Sequence, residues 1–268
     1  MDIKGVIVVS GASQGIGRQV CLYLAEHYHL VTVIAVARSS DLLHTLQQES
    51  QRYGHNRIIS VSGSISLEQT QLEIISKISD KPLLAIINNA AQVEPNCAIL
   101  EVTPDQWRNI LETNLVSSLN LVSRCIDRLQ KTQGRVINVT SSTSQVPVPA
   151  FAAYGVTKVA VNYATAAMAM EYPEITTIAF YPGVVATPMN HKALEAASSF
   201  ASSERAVKAA IDLSKVIEKL KHPIPADTPC AIIANLAVFA DHSLSGKFFT
   251  YNDDEMEKYQ NPRVYTSQ

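Results

Sequence analysis

Runs of β-branched and other apolar residues recur along the chain, and each is followed by a segment with helical spacing. The first run is "GVIVVS" (5–10), after which Ile16, Val20 and Leu24 repeat at helical intervals. Continuous apolar runs are typical of strands that are buried on both faces of a parallel sheet. Strands that alternate with helices of roughly 10–20 residues therefore predict a doubly wound α/β domain, with helices on both faces of one sheet.

The same pattern gives bounds for the elements. The predicted strands span 5–10, 30–37, 57–62, 82–90, 134–142, 176–183 and 246–252. The predicted helices span 16–28, 41–53, 67–78, 103–131, 152–171 and 227–240, the range 103–131 being one long helix or two. Asp41 is expected to cap the second helix, and Thr103 to cap a helix that Pro104 opens. No repeat or linker interrupts the pattern, so residues 1–268 are expected to form a single domain.

One stretch after the sixth strand departs from this alternation. "TPMNHKALEAASSFASSERAV" (187–207) is rich in small and polar residues. We expect a mobile loop-and-helix insert there, extending over 187–225 and covering a ligand site.

Composition excludes several classes of protein. The net charge of −2 leaves no basic surplus for a nucleic-acid partner. No apolar stretch approaches the roughly 20 residues that span a bilayer, and no signal segment is recognisable, so we expect a cytoplasmic protein. The four cysteines are scattered and predict buried free thiols. The seven histidines show no metal-ligand spacing, so no metal site is predicted.

A glycine-rich turn lies between the first strand and the first helix. In "SGASQGIG", Gly11, Gly15 and Gly17 would let the backbone approach a pyrophosphate, and the helix N-terminus would supply N–H groups. The GxxxGxG spacing differs from GxGxxG, and three glycines alone also fit an ordinary tight turn. Their position between a strand and a helix is the one that a dinucleotide site requires.

The end of the second strand indicates which dinucleotide would bind. "VARSS" contains Arg38 where an NAD enzyme would place an acid that reads the ribose. A guanidinium suits a 2′-phosphate, so NADPH is the predicted cofactor, with Arg18 as a second candidate contact. An ordinary surface arginine at a strand end is the alternative.

Tyr154 and Lys158 are four residues apart in the small, apolar stretch "AFAAYGVTKVAV" (150–161). This spacing places both side chains on one helix face. A free phenol has a pKa of about 10, and a neighbouring ammonium is expected to lower it by favouring phenolate. The pair is suited to proton transfer to a carbonyl oxygen, with Tyr154 as the acid in reduction.

Several motifs in register resemble those of the short-chain dehydrogenase/reductase family. "SGASQGIG", "NNAA" (88–91), Asn114, Ser141, "YGVTK" and "YPGVVATP" follow the family's order and spacing over essentially the whole chain. The chain is most similar to the sepiapterin-reductase-like branch and, within it, to benzil reductases that form (S)-benzoin. The resemblance implies a Rossmann domain with a parallel seven-stranded sheet and an NADPH-dependent carbonyl reductase.

The resemblance also implies a catalytic tetrad of Asn114, Ser141, Tyr154 and Lys158. Ser141 would hydrogen-bond the substrate carbonyl, Lys158 would hold the nicotinamide ribose, and Asn114 would order a water that connects Lys158 to solvent. The alternatives are a strand-end cap for Ser141 and an interhelical polar contact for Asn114. The implied cofactor contacts are Gly11, Ser13, Gly15, Ile16, Gly17, Arg38, Ser64, Asn89, Ala90, Tyr154, Lys158, Pro182, Gly183, Val185 and Thr187.

The chain departs from the family pattern at three positions. Ala91 replaces the usual glycine of "NNAG", a change that we expect to be tolerated. Ser64 replaces an acid that commonly reads the adenine amino group. Thr250 falls where sepiapterin reductases anchor the pterin with an acid, although Asp253 and Asp254 lie close by.

The loop between Ser141 and Tyr154 indicates the substrate class. "STSQVPVPAFAA" is largely apolar, so we expect a pocket for an apolar or aromatic carbonyl such as benzil. The predicted substrate contacts are Ser141, Val146, Phe151, Tyr154 and Met189; packing into the core is the alternative for the apolar ones.

Three other functions remain open at this point: a non-catalytic NADP(H)-sensing protein, a sepiapterin-type pterin reductase, and an NAD-linked alcohol dehydrogenase, which Arg38 disfavours. The family resemblance implies a homodimer or homotetramer that pairs through the helices at 103–131 and 152–171.

Overall fold

The computed structural model describes residues 3–54 and 57–262, so the ends of the predicted 1–268 domain lie outside the described residues. Seven strands form one parallel sheet in the order β3-β2-β1-β4-β5-β6-β7. They are β1 (Gly5–Ser10), β2 (Val31–Ala37), β3 (Ile58–Ser62), β4 (Leu83–Asn88), β5 (Arg135–Val139), β6 (Thr176–Tyr181) and β7 (Phe248–Thr250). The predicted fold class is confirmed, with most strands shorter than predicted at one or both ends.

The α-helices connect these strands and cover the sheet. They are α1 (Gly15–His27), α2 (Ser40–Ser50), α3 (Glu68–Ile78), α4 (Pro104–Leu111), α5 (Ser117–Thr132), α6 (Ala152–Glu171), α7 (Pro188–Ala201), α8 (Glu204–Lys208), α9 (Ser214–Lys221) and α10 (Asp227–Phe239). Thr103 caps α4 as predicted, with Pro104 in the first position. The predicted Asp41 cap is wrong: α2 begins earlier, the Ser39 side chain accepts from the Leu42 N–H, and Asp41 lies in the first turn.

Both faces of the sheet are buried. Along β1, Ile7 and Val9 pack into a core formed with α1, α2 and α10, whereas Val6 and Val8 pack into a core formed with α3, α5 and part of α6. This alternation follows from the two-residue period of a strand. It explains why the strands read as unbroken apolar runs, because neither face is left to solvent.

A third apolar cluster lies beyond the carboxyl ends of the strands. It joins Phe151 of the loop before α6 to Ala197 and Phe200 of α7 and to Leu213 before α9. The region expected to be a mobile loop-and-helix insert is therefore mostly helical, as α7, α8 and α9. The segment that follows α9 is hydrogen-bonded to the segment after β6, because the Ile224 N–H donates to the Val184 carbonyl oxygen at 2.8 Å.

Three of the four predicted buried thiols are buried, at Cys21, Cys125 and Cys230, while Cys97 is only half-buried. In the part of the chain that the structure describes, none of the helices has the length and apolarity that crossing a membrane demands.

The strand order reverses between β1 and β4. From β1 the chain continues to one side of the sheet, toward β2, and from β4 it continues to the other, toward β5. In doubly wound folds the crevice outside the carboxyl ends of the strands at such a point is where ligands bind. Gly11, which follows β1, and Asn89, which follows β4, lie at this crevice.

Candidate active site

A cavity of about 1200 Å³ opens at the carboxyl ends of the central strands. It is larger than the roughly 300–1,000 Å³ of a typical small-molecule pocket, so it has room for a dinucleotide and a second molecule. One end is lined by the glycine turn and Arg38, and the other by Ser141, Tyr154 and Lys158.

The glycine turn presents bare backbone to this cavity. Gly11 and Gly15 have φ values of 66° and 55°, which L side chains rarely adopt. A Cβ on Gly15 would lie 3.1 Å from the Thr187 side chain on the opposite wall. Gln14, the N-cap of α1, makes no side-chain capping bond, so the first N–H groups of the helix are free of a side-chain partner there. This cradle fits the pyrophosphate of a dinucleotide.

Gly17, also predicted to bind the cofactor, does not line the cavity. A Cβ at Gly17 would lie 2.4 Å from the Gly11 carbonyl oxygen and 2.6 Å from Asn89 Nδ2. The residue instead allows α1 to pack against the turn. Asn89 holds the turn from the other side, because its Nδ2 donates to the carbonyl oxygens of Ser10 and Gly11 at 3.0 and 3.1 Å.

The two candidate phosphate-binding arginines lie in different surroundings. Arg38 lines the cavity and is exposed. Arg18 forms an ion pair with Glu49 and is not among the described residues that line the cavity, so the sequence prediction that it assists Arg38 is not supported. No Asp or Glu occurs among the described lining residues, which makes this end of the cavity suitable for an anion.

Two of the departures from the family pattern are accommodated locally. Ser64 lines the cavity, and its Oγ lies 2.8 Å from Ser66 Oγ and accepts from the Ser66 N–H. Ala91 is not among the described residues with positive φ, so the alanine is unstrained, as expected.

A buried polar network positions α6 on the sheet. Asn88 Nδ2 donates to Asn138 Oδ1 at 2.8 Å, joining the ends of β4 and β5. Asn138 Nδ2 in turn donates to Thr165 Oγ1 in α6 at 2.9 Å. Since buried donors and acceptors must be paired, this series of hydrogen bonds fixes the position of α6 relative to the strands.

Three of the four predicted tetrad residues meet on the cavity wall. Tyr154 and Lys158 lie on α6, and Ser141 follows β5. The Ser141 side chain is close enough to Tyr154 to act on its pKa. Ser141 Oγ also accepts from the Thr143 N–H at 3.2 Å, so the residue caps a short helical turn as well as facing the cavity.

Lys158 is almost fully buried, and its Nζ donates to the Val139 carbonyl oxygen at 2.8 Å. The ammonium lies 5.5 Å from the centroid of the Tyr154 ring. Burial lowers the pKa of Lys158 to about 8, because the charged form loses hydration.

The pKa of Tyr154 differs from the sequence expectation. Burial raises the pKa of Tyr154 to about 12, the adjacent Ser141 side chain opposes that rise, and the nearby Tyr181 adds to it. The net shift is upward because burial outweighs the opposing effect of Ser141. Tyr154 therefore keeps its proton at neutral pH, as a group that must donate one requires.

Asn114 is not among the described residues that line the cavity; it lies in a π-helical turn (Glu112–Val116) between α4 and α5. The predicted helix 103–131 is thus two α-helices joined by this turn. Asn114 Oδ1 accepts from the Gln92 N–H at 2.8 Å, and its Nδ2 donates to the Gln92 carbonyl oxygen and to Thr157 Oγ1 at 2.9 and 3.1 Å. It connects the segment after β4 to the turn of α6 that carries Tyr154 and Lys158.

The remaining predicted contacts also lie on the cavity wall. Those expected to hold the cofactor there are Ser13, Ile16, Asn89, Ala90, Pro182, Gly183, Val185 and Thr187. Those expected to contact the substrate are Val146, Phe151 and Met189. Phe151 and Met189 also pack in the third apolar cluster. These two side chains therefore line the cavity and also pack into a core, so the two alternatives considered for them are compatible.

Several residues of this wall were not predicted from the sequence: Thr140, Tyr181, Asn190, Lys215 and Lys219. Thr140 and Tyr181 could have been found, since Thr140 follows β5, Tyr181 ends β6, and each precedes a predicted site residue. The two lysines belong to α9, whose position over the cavity has no local signal in the sequence.

The position expected for a pterin-anchoring acid is not on the cavity wall. Thr250 Oγ1 donates to Asp253 Oδ1, and the Thr250 N–H donates to Asp253 Oδ2, both at 2.7 Å. Asp253 is thus engaged with its own turn, and Thr250, Asp253 and Asp254 are absent from the described lining residues.

Comparison with known proteins agrees with this geometry. Residues 5–198 match the family model for short chain dehydrogenases. The benzil reductase IRC24 of Saccharomyces cerevisiae, which forms (S)-benzoin, is 28% identical over 95% of this chain and 98% of its own length. An NADPH-dependent pterin aldehyde reductase of Arabidopsis thaliana is 30% identical over 68% of this chain and 76% of its own length. Among solved structures, the KRED1-Pglu enzyme is similar with a TM-score of 0.79 and 29% identity, covering 92% of this chain and 100% of its own.

The chain therefore belongs to the short-chain dehydrogenase/reductase family, as its motifs predicted. It is an oxidoreductase of that kind, in a family that binds a nicotinamide cofactor and acts on small carbonyl compounds and alcohols.

Proposed function

We propose that the protein is an NADPH-dependent carbonyl reductase that converts an apolar or aromatic ketone or diketone, such as benzil, into a secondary alcohol. The meeting of Ser141, Tyr154 and Lys158 in the same cavity as the glycine turn carries this proposal. A protein that only senses the cofactor has no need of a proton donor there.

The reaction consumes one ketone, one NADPH and one proton, and yields one alcohol and NADP⁺. The reduced nicotinamide, when bound, supplies a hydride to the carbonyl carbon. Tyr154 gives its hydroxyl proton to the carbonyl oxygen, and Ser141 donates a hydrogen bond to the same oxygen as negative charge develops on it. Lys158 stabilises the phenolate that remains, because its ammonium lies on the same helix face.

The cofactor preference is supported by Arg38. Its guanidinium lines the end of the cavity opposite Tyr154, and no carboxylate lies among the described lining residues to repel a 2′-phosphate. The Arabidopsis thaliana relative is itself described as NADPH-dependent.

The substrate class is supported by the wall beside Tyr154. Val146, Val148, Phe151 and Met189 present apolar surface there, and the yeast relative is a benzil reductase. A pterin substrate receives less support, because the carboxyl group of Asp253 is bonded to Thr250 outside the cavity.

The test is NADPH oxidation by the purified protein with benzil, a pterin aldehyde and a panel of simple ketones, followed by chiral chromatography of the products. We expect benzil to be reduced to benzoin, with NADPH at least about tenfold more efficient than NADH. If the pterin aldehyde is turned over far better than benzil, the substrate assignment is wrong. If no carbonyl compound oxidises NADPH, the proposed activity itself is wrong.

A further inference from the structure

Tyr181 is a buried tyrosine on the cavity wall whose hydroxyl group makes no hydrogen bond to the residues that the structure describes. It ends β6, immediately before Pro182, and is 9% exposed. Its Oη has no hydrogen-bond partner among the described residues. A buried hydroxyl without a partner is destabilising, so its presence beside a binding cavity points to a ligand atom.

The two-residue period of β6 shows on which face of the sheet the Tyr181 side chain lies. Along β6, Thr177 donates to the Thr165 carbonyl oxygen of α6 at 2.8 Å, whereas Ile178 and Phe180 enter the core on the opposite face. Residues two apart share a face, so Tyr181 lies on the α6 side with Thr177. Tyr154 is on α6, and Tyr181 is close enough to raise its pKa.

Thr140, which follows the neighbouring strand β5, carries a second buried hydroxyl group beside Tyr181. The Thr140 N–H donates to the Phe180 carbonyl oxygen at 2.9 Å, which continues the β5–β6 register and brings Thr140 beside Tyr181. Thr140 Oγ1 is also buried and without a partner among the described residues. Two residues that line the cavity next to Ser141 therefore carry buried hydroxyl groups without a described partner, whereas the loop wall is apolar.

The charge around Tyr181 favours an oxygen that accepts a hydrogen bond. Lys219 of α9 lies with its Nζ 5.7 Å from the centroid of the Tyr181 ring, and both residues line the cavity. No Asp or Glu shares that wall among the described residues. A carbonyl oxygen of the ligand is the group that suits a phenolic donor in a positive field.

We propose that Tyr181 is a substrate-binding residue that donates a hydrogen bond to a second oxygen of the substrate, adjacent to the carbonyl that Tyr154 protonates. The pocket thereby selects vicinal dicarbonyl compounds over simple ketones of the same shape. This inference rests on the proposed carbonyl reductase function and specifies its substrate class.

The test compares Tyr181→Phe with the wild type on benzil and on deoxybenzoin. The two substrates have the same pair of phenyl rings, and deoxybenzoin has a methylene in place of the second carbonyl. We expect kcat/KM for benzil to fall about tenfold, mainly through KM, and kcat/KM for deoxybenzoin to change by less than about twofold. Tyr53→Phe is the matched control, since the Tyr53 hydroxyl contacts Arg52 and does not line the cavity, and it should leave both values unchanged.

Calorimetric binding of benzil to the NADP⁺-loaded protein gives a readout that does not depend on turnover. Tyr181→Phe should weaken this binding about tenfold, and Tyr53→Phe should not affect it. Equal effects of Tyr181→Phe on benzil and deoxybenzoin, no effect on either, or failure of the wild type to bind benzil would each overturn the role of Tyr181. Binding that depends on Tyr181 without any turnover would support that role and refute the proposed reductase activity.

Discussion

Lys158 is the residue whose chemistry depends most on its surroundings. It is a buried cation whose described hydrogen bond is to a backbone carbonyl, and burial lowers its pKa to about 8. The ammonium form thus predominates below about pH 8 and is lost above it. Tyr154, with its pKa raised to about 12, does not ionise over the same range.

We therefore predict that kcat/KM for NADPH in ketone reduction falls above pH 8, approaching about a tenfold fall per pH unit. The pH dependence of kcat/KM reports the pKa values of groups in the free enzyme, and burial lowers the pKa of Lys158 there. The measurement is a pH–rate profile from pH 6 to 10. Lys158→Arg should be less active but lack this alkaline limb, because a guanidinium stays charged; a wild-type rate that is flat to pH 10 would contradict the assignment.

Arg38 is predicted to determine the choice of cofactor. Arg38→Asp replaces the cavity guanidinium by a carboxylate that repels a 2′-phosphate, so the Kd for NADPH should rise at least about tenfold and the Kd for NADH should not. Fluorescence titration of the two reduced cofactors measures both constants. Arg108→Asp, on the exposed surface of α4, is the control. An unchanged Kd for NADPH in Arg38→Asp would show that another group binds the phosphate.

At the scale of elements, the active site depends on where α6 sits, and Asn138 is the central residue of the network that holds it. Asn138→Ala would leave Asn88 and Thr165 without their buried partner. We expect the free energy of unfolding to fall by about 2–3 kcal/mol. Urea denaturation measures this change, with Asn120→Ala on the exposed side of α5 expected to stay within about 0.5 kcal/mol of the wild type. Equal stabilities of the two variants would refute this role of Asn138.

The strands and α6 could be predicted from the sequence because their signals are local. A strand buried on both faces is a continuous apolar run, and α6 was predicted at its observed bounds. The region of α7 to α9 gave no such signal, because its apolar residues are spread over short helices and pack on Phe151 and Trp107, which are distant in sequence.

The same distinction applies within the site. The motif spacing identified Ser141, Tyr154 and Lys158, which the fold brings to one wall. Sequence spacing could not reveal that Arg18 is paired with Glu49, or that Gly17 lies behind the turn. It also gave the wrong direction for the pKa of Tyr154, since burial depends on what the rest of the chain packs over the residue.

At the scale of the molecule, the outer face of α6 predicts self-association. Val156, Val159, Tyr163 and Met170 follow each other at intervals of three, four and seven residues and are 43%, 51%, 79% and 83% exposed. A row of exposed apolar side chains along one helix is typical of an interface. We therefore retain the homodimer or homotetramer as a proposal.

Tyr163→Lys should shift the protein toward the monomer, because it places a charge within this apolar row. Size-exclusion chromatography with light scattering at micromolar concentration measures the change. Leu72→Lys, which alters an exposed leucine on α3, should leave the oligomer intact. A monomeric wild type, or equal dissociation by both variants, would contradict an interface on α6.

We propose that this cavity reduces a carbonyl group with a proton from Tyr154. The most direct measurement is a single turnover, in which protein loaded with NADPH is mixed with benzil and the loss of nicotinamide absorbance is followed. We expect complete oxidation by the wild type and none by Tyr154→Phe, with equal Kd values for NADPH in the two proteins. Oxidation by Tyr154→Phe at a rate near that of the wild type would show that Tyr154 is not the proton donor.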